Sequence, residues 1–515
     1  MPIELPPPPE PQPGSLEVLA DARSYPVGAV TLQVSAPGIL YDADIGRVLA
    51  AETDPSKAII ALAEAARRAG LIAPRTLYAR SGDRIYVSIG AGRIAEIGAP
   101  PRLATYFEDL RGRPVPRDRD LEPARARASI QADRDGEAYQ SRLLPLADDA
   151  YRLELVRTRP RPDAGTVSAA FSNAGNRFTG REFVDLDVSA GNRWGDRFRA
   201  ISRARVDVFG FDEDRGDDGQ YHEHNLQWDR ITPWGLFGAG GRYLEYKQNF
   251  DDGRFRGEIW SAEASWMNVL GAGFGWRWTG ETRMDFIHDL VEGDAGSLRK
   301  EIYPSLEISQ AYTRRLQIGS EDSLVAAGFK ARKGLRTEET AVGSDLGYWL
   351  VRPELGGTLD FAPLSFTLEA QGQYGSDKMP DQQLWVLGGE QSLRAWLPGV
   401  ALGDTGSYVR AELRYTSLEL PLLKTVVKVA GFAEYGSSSE GLPFDEANGG
   451  LFGGRITQGI GSADLADAGL EVSATVLKRL EASLARAWPI FDHGVERDQL
   501  DLARADFYFK LTASF

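Results

Sequence analysis

Over residues 164–515 apolar side chains recur at every second position in short runs, and clusters of Gly, Asp and Asn separate the runs. In residues 364–374, Leu364, Phe366, Leu368, Ala370, Gly372 and Tyr374 share one face, while Ser365, Thr367, Glu369, Gln371 and Gln373 share the other. In residues 198–208, Phe198, Ala200, Ala204, Val206 and Val208 stand opposite Arg199, Arg203, Arg205 and Asp207. The chain ends FYFKLTASF, with Phe507, Phe509, Leu511, Ala513 and Phe515 set against Tyr508, Lys510, Thr512 and Ser514. Oily faces backed by polar ones, in runs near the roughly 9–11 residues a tilted membrane strand needs, predict a transmembrane antiparallel β-barrel. A soluble all-β domain is the alternative reading.

Upstream the period changes. Residues 27–100 read strand, helix, helix, strand: VGAVTLQVS alternates, PSKAIIALAEAARRAGLI carries apolar residues at helical spacing, and RIYVSIGAGRIAEIGA alternates again. Asp54 and Ser56 around Pro55 offer a capped helix start, and Gly70 a stop. Residues 101–163 form a second, shorter α+β unit, helical over LATYFEDLRG and DLEPARARASIQADR and strand-like over YRLELVRTR. Residues 1–26 begin with a proline-rich tether, MPIELPPPPEPQPGS, expected to be extended and to pack no core.

Composition narrows the function classes. Cysteine is absent, which removes a disulfide framework, a thiolate nucleophile and any cysteine-ligated metal. The net charge is −15, and acidic and basic residues are mixed throughout, so no basic tract is present to neutralise phosphates; nucleic acid is not an expected partner. No window approaches the roughly 18 apolar residues of a spanning helix, which excludes a helical membrane protein. The 22 Phe, 18 Tyr, 11 Trp and 56 Gly suit short strands with an apolar face instead. The opening residues carry no signal peptide, so a barrel bound for a membrane is read here without its leader.

Candidate chemistry is sparse. His222-Glu223-His224 places two imidazoles on one strand face, but no third ligand is in view, and a loop or rim feature is the simpler reading. No G-x-S-x-G elbow occurs; a barrel lipase needs only Ser, His and a polar orienter on adjacent strands, and spacing leaves that open. GGLFGGR at 449–455 lacks the Lys-Ser/Thr of a phosphate loop and reads as an extracellular loop or turn. No catalytic residue, cofactor or metal ligand is assigned.

Residues 384–436 carry the most specific pattern: LWVLGGEQSLRAWLPGVALGDTGSYVRAELRY, then VVKVAGFAEYG. A lone arginine in a loop that folds into a barrel needs an acceptor. Along residues 425–436, Lys428, Phe432 and Glu434 lie on the wet face, and Val427, Val429, Gly431, Ala433 and Tyr435 on the lipid face. Glu434 is therefore the candidate partner of Arg394, with a solvated surface arginine as the alternative.

This stretch resembles the VRGY/F loop motif and the F-x-D-x-G strand motif of two-partner secretion transporters, of the outer-membrane assembly superfamily. The motifs stand here as Leu393-Arg394-Ala395-Trp396, after Gly388 and Gly389, and Phe432-Ala433-Glu434-Tyr435-Gly436. Asn173-Ala174-Gly175, Thr179-Gly180 and the run from Asn192 to Asp196 resemble the family's first hairpin. Residues 65–97 resemble the helix-to-strand half of a polypeptide-transport-associated (POTRA) domain.

The resemblance implies a barrel of about 16 strands over residues 164–515, comfortably long for strands of about ten spanning residues each. It implies POTRA-like domains at 27–100 and 101–163 in the periplasm, and an inserted loop around 388–407 locked by Arg394 and Glu434. It further implies residence in the outer membrane and export of a large exoprotein client, captured by strand addition without nucleotide hydrolysis. Arg199, Arg203 and Arg205 are then basic lumen residues, and Phe507, Phe509, Leu511 and Phe515 a terminal signal for the barrel assembly machinery. The alternative function is an insertase for other barrels; a plain diffusion channel leaves the periplasmic units without a role.

Three departures stand out. Ala395 replaces the family's glycine and resists positive φ, so the loop tip is expected to differ. Glu434 is one methylene longer than the usual aspartate. No amphipathic plug helix precedes the tether.

Overall fold

The computed structural model describes residues 3–4, 12–13, 22–113, 117–146, 150–159, 165–175, 179–209, 219–250, 253–273, 275–294, 296–318, 321–335, 338–339, 344–376, 378–420, 424–439, 462–495 and 497–515. The glycine-rich run 449–455 and most of the tether lie outside them.

Sixteen antiparallel strands close a barrel, running from Gly165–Ser172 to Tyr508–Ser514, with the two-residue strand Glu338–Glu339 as a side pairing. The pleat sends alternate side chains outward, which is how a barrel covers itself for lipid. Phe198, Leu364, Leu368 and Tyr374 are exposed on the outside, as are Leu413, Val429, Tyr435 and Leu470. No helix among the described residues is long and apolar enough to cross a membrane.

The first and last strands meet in register from Ser168 opposite Ser514 to Ser172 opposite Lys510. Asn173 extends this closing seam past the ladder: its Oδ1 accepts from the Phe509 N–H at 2.7 Å, and its Nδ2 donates to the Phe507 carbonyl at 2.9 Å. Phe509 packs against Phe171, with tilted rings whose centroids are 5.3 Å apart, and Phe515 closes the strand by backbone exchange with Val167. The strand foreseen over 198–208 stops at Arg205, because the carboxylate of Glu182 takes the Phe209 N–H at 3.0 Å and turns the chain out of the ladder.

Two small α+β units precede the barrel. In the first, the sheet order is Pro74–Ser81, Arg84–Ala91, Val30–Ser35, Arg23–Val27, and the helices Asp42–Ala50 and Pro55–Arg68 cover one face. Asp54 caps the second helix by accepting the Ser56 N–H at 2.8 Å, and Gly70 ends it at φ +95°. Leu32, Val34, Leu62, Val87 and Ile89 form its core.

In the second unit the sheet order is Ala138–Pro145, Ala150–Arg159, Arg93–Gly98, with the helix Asp118–Arg134 packed against it. Arg93–Gly98 reads from sequence as the end of the first unit, but it pairs in parallel with Ala150–Arg159 and belongs to the second. The misreading has a simple cause: alternation continues through Gly90 and Gly92, while the chain leaves one sheet for the other at Gly92, whose N–H goes to Ala73. The tether also differs from expectation. Ile3–Glu4 pairs in parallel with Ala138–Pro145, and Gln12–Pro13 with Pro74–Ser81.

The helix Asp118–Arg134 seats the second unit on the barrel's turn side. Arg134 forms an ion pair with Asp229 and donates to the Gly195 carbonyl at 2.8 Å, Arg127 reaches Asn268 at 3.2 Å, and barrel residue Ile231 is buried in the unit's own core. The Arg134→Ala variant leaves Asp229 with Arg197 as its remaining cation, at 3.0 Å, so the cost is expected below the roughly 3–5 kcal/mol of a fully orphaned buried charge. Amide exchange in 118–134 is expected to accelerate while the barrel keeps its heat-modifiable gel migration; unchanged exchange means that the docking rests on the apolar contacts and the Arg127–Asn268 bond.

Candidate functional site

The chain leaves the ladder after Leu364–Gly375, turns back into the lumen, and resumes at Thr405–Leu420. The inserted segment is therefore 376–404, earlier and longer than the 388–407 read from sequence, because the ladder resumes at Thr405. A short hairpin of Trp385–Leu387 and Ala401–Gly403 forms its neck. Gly388 and Gly389 take φ of +95° and +100° at the neck's end, and a Cβ on Gly388 would stand 2.2 Å from the Leu397 carbonyl oxygen.

The tip brings Arg394 and Glu434 together. Glu434 Oε2 accepts the Arg394 backbone N–H at 2.8 Å, and Oε1 accepts its Nε at 3.1 Å. The wall holds more acid than the motif names. Glu471 accepts Arg394 Nη1 at 2.8 Å, Glu412 lies 3.6 Å from Nη2, and Asp467 accepts the Ala395 N–H at 2.7 Å. Tyr408 donates to Glu434 Oε1 at 3.0 Å. Arg394 and Glu434 are each only 3% exposed, so the fork's charge is met by protein rather than by water.

The strand motif acquires a physical meaning. Phe432, Glu434 and Gly436 lie two residues apart on one inward face of Thr425–Ser439. The guanidinium of Arg394 sits over the Phe432 ring at 3.5 Å, a cation–π contact. Gly436 leaves room for the loop: a Cβ there would fall 2.8 Å from Leu387 and 2.9 Å from Leu393. One residue stacks, the next grips, and the third makes space.

Leu393 and Trp396 are buried in a cluster with Leu387, Val400 and Phe432. The Trp396 carbonyl accepts from the Tyr508 hydroxyl at 2.8 Å, and backbone bonds join Leu397 to Ala503 and Ala505 to Ala395. Tyr508 thus ties the loop to the final strand. Ala395 does not take a positive φ; the tip's positive φ falls at Leu393, at +54°. Ala395 is buried with both backbone groups bonded.

Arg199 and Arg203 line a lumenal cavity of about 370 Å³ with Asp185, Asp187, Glu223 and Lys510. Each is paired, Arg199 with Asp187 through Nε at 3.0 Å and Arg203 with Asp185 at 3.1 Å. Arg205 sits at the strand end and bonds the Gly219 carbonyl. Phe509 is the terminal-signal residue in contact with Phe171 and Phe507; Leu511 and Phe515 face outward. His222 and His224 also point outward, with Glu223 turned inside toward Arg242 at 2.6 Å. No group of three His, Cys, Asp or Glu suited to a metal occurs among the described residues.

The sequence motifs did not name Glu412, Asp467, Glu471 or Tyr408. Their signal was present, since each is a polar residue at an inward position of an alternating strand, but only the pairing register puts Asp467 opposite Glu434 and Glu412 opposite Phe432.

These features define a class: a transmembrane β-barrel carrying two α+β units on its turn side and an arginine-anchored loop in its lumen. No family model and no curated protein matches the chain. Among solved structures, CdiB from Escherichia coli is similar over 98% of this chain and 92% of its own, at 15% identity and a TM-score of 0.74. CdiB from Acinetobacter baumannii is similar over 98% and 93%, at 13% identity and a TM-score of 0.64. The likeness to both takes in the whole fold, barrel and α+β units together.

The Gly436→Val variant is expected to push the loop out without altering any charge, and the Arg394→Ala variant to release it by orphaning the acids, at a cost of about 3–5 kcal/mol for a broken buried pair. Limited proteolysis should cut within 376–404 in both variants while the barrel band persists. Protection equal to the parent in Gly436→Val would mean that the apolar fit is dispensable.

Proposed function

We propose that the protein is an outer-membrane transporter that exports a large partner exoprotein from periplasm to cell surface, with its two α+β units in the periplasm. The observation that carries this reading is the combination of a closed barrel, a loop held inside it by a charged contact, and two small α+β units of which the second is seated on the barrel. A diffusion channel has no use for such domains.

Capture occurs at sheet edges. Pro74–Ser81 and Ala138–Pro145 each carry a two-residue strand from the tether, which supports the view that these edges accept an extended segment. A client segment added there is presented at the barrel mouth, and displacement of the loop opens the way outward. No step in this scheme uses a nucleotide, and folding of the client outside supplies direction. Partners on this reading are the client, outer-membrane lipid and, during biogenesis, the barrel assembly machinery.

The test expresses the protein, or its Arg394→Ala variant, beside a candidate large exoprotein and measures exoprotein in the medium at equal barrel abundance. Secretion that requires the protein and falls in the variant supports export. Secretion indifferent to the protein, together with loss of other barrels in its absence, replaces export by insertion. A second measurement follows from the tether: a chain lacking residues 2–14 is expected to bind the client's N-terminal domain more tightly by pull-down, because both edges are then free. Weaker binding would assign the tether to the client site itself.

A further inference from the structure

The loop has a second attachment. At its shoulder the turn Asp381–Gln383 lies against strands far from the Arg394 tip. Asp381 forms an ion pair with Arg299, which also holds Asp289 at 3.0 Å, and Gln382 Nε2 reaches Asp289 at 3.4 Å. Asp289 and Arg299 stand on Trp276–Gly293 and Gly296–Ile318, the seventh and eighth barrel strands. The tip is held by Thr425–Ser439 and Ser462–Val476, the thirteenth and fourteenth.

The shoulder is well built. The Gln383 carbonyl accepts from Gln373 at 2.9 Å and from Arg352 at 3.2 Å, and its side chain accepts from Arg332 at 3.3 Å. Asp404 caps the turn by accepting the N–H groups of Lys378 and Met379 at 3.1 and 3.2 Å. Met379 and Leu384 are buried with Ile287, Tyr303 and Tyr348.

We infer that segment 376–404 is a strap tied to two separated sectors of the wall, and that Asp381 on Arg299 is its second tie, a positioning contact that must be released along with the Arg394 tie for full opening. This rests on the reading that the segment obstructs a transport path. The asymmetry of the shoulder makes it separable from folding. Arg299 keeps Asp289 when Asp381 is neutralised, so the wall retains its own pair. Removing Arg299 instead leaves Asp289 and Asp381 facing each other without a cation, which damages the barrel as well as the strap.

Purified protein in planar bilayers tests this without a client. The Asp381→Asn variant is expected to raise open probability about ten-fold over the parent, and Asp381→Asn with Arg394→Ala to exceed either single variant. The Asp381→Glu variant should restore the parent value. Gln382→Ala, which removes a hydrogen bond and no charge, is expected to give a smaller rise and serves if Asp381→Asn fails to assemble. Parent-like conductance in both Asp381→Asn and Gln382→Ala, beside an open Arg394→Ala channel, overturns the second tie. If Asp381→Asn opens the pore yet no form exports an exoprotein, the strap stands and the export reading falls.

Discussion

One buried cation governs the interior of this barrel. Bringing a guanidinium out of water costs several kcal/mol, and the Coulomb attraction offsets that cost only where the geometry is good and the remaining donors are satisfied. Arg394 meets the condition at two of its three nitrogens, where Glu434 and Glu471 accept from Nε and Nη1, while Nη2 has only the ion pair with Glu412 at 3.6 Å and no hydrogen bond. The dependence runs both ways. Carboxylates on adjacent strands, Glu434 beside Asp467, repel one another unless something positive stands between them and the lumen. The loop is therefore part of what allows this sector of wall to carry so much acid, and the wall is what fixes the loop's position.

Orientation follows from the backbone as much as from the side chain. Glu434 takes the Arg394 N–H and Asp467 the Ala395 N–H, so two successive amides point at two adjacent strands. With those fixed, Leu393 and Trp396 can only enter the apolar cluster, and the Trp396 carbonyl meets Tyr508 of the last strand. The inserted loop and the closing seam are mechanically joined through that hydroxyl. Asn173, on the other side of the seam, completes the ladder that Tyr508–Ser514 leaves short.

Much of this was legible in the sequence, for reasons particular to membranes. Lipid on one side and water on the other impose a strict period of two, so the faces of residues 364–374 and the wet position of Glu434 follow without any contact being known. The Arg394 and Glu434 pair was legible because each is the lone matching charge in a strongly patterned segment. The other acids were not, because their roles depend on cross-strand register over separations of 72 and 77 residues, which alternation does not encode. The shoulder tie was equally hidden: Arg299 and Asp381 are ordinary residues of a charged lumen until the loop folds back. Arg93–Gly98 was misplaced because a strand's period says which residues share a face and nothing about which sheet they join.

A charged tie suits a gate in a wet lumen better than an apolar one. Separating two packed apolar surfaces exposes both to water at roughly 25 cal/mol per Å², with no compensation until another surface covers them. Separating an ion pair into water returns hydration to both partners, so the tie is firm while dry and cheap to open once water enters. Here the apolar part of the tip, around Leu393 and Trp396, sits beneath the charged part rather than instead of it. On the export reading proposed above, water admitted at Arg394 weakens the grip first, and the apolar contact that remains sets how far the strap must travel before it is free.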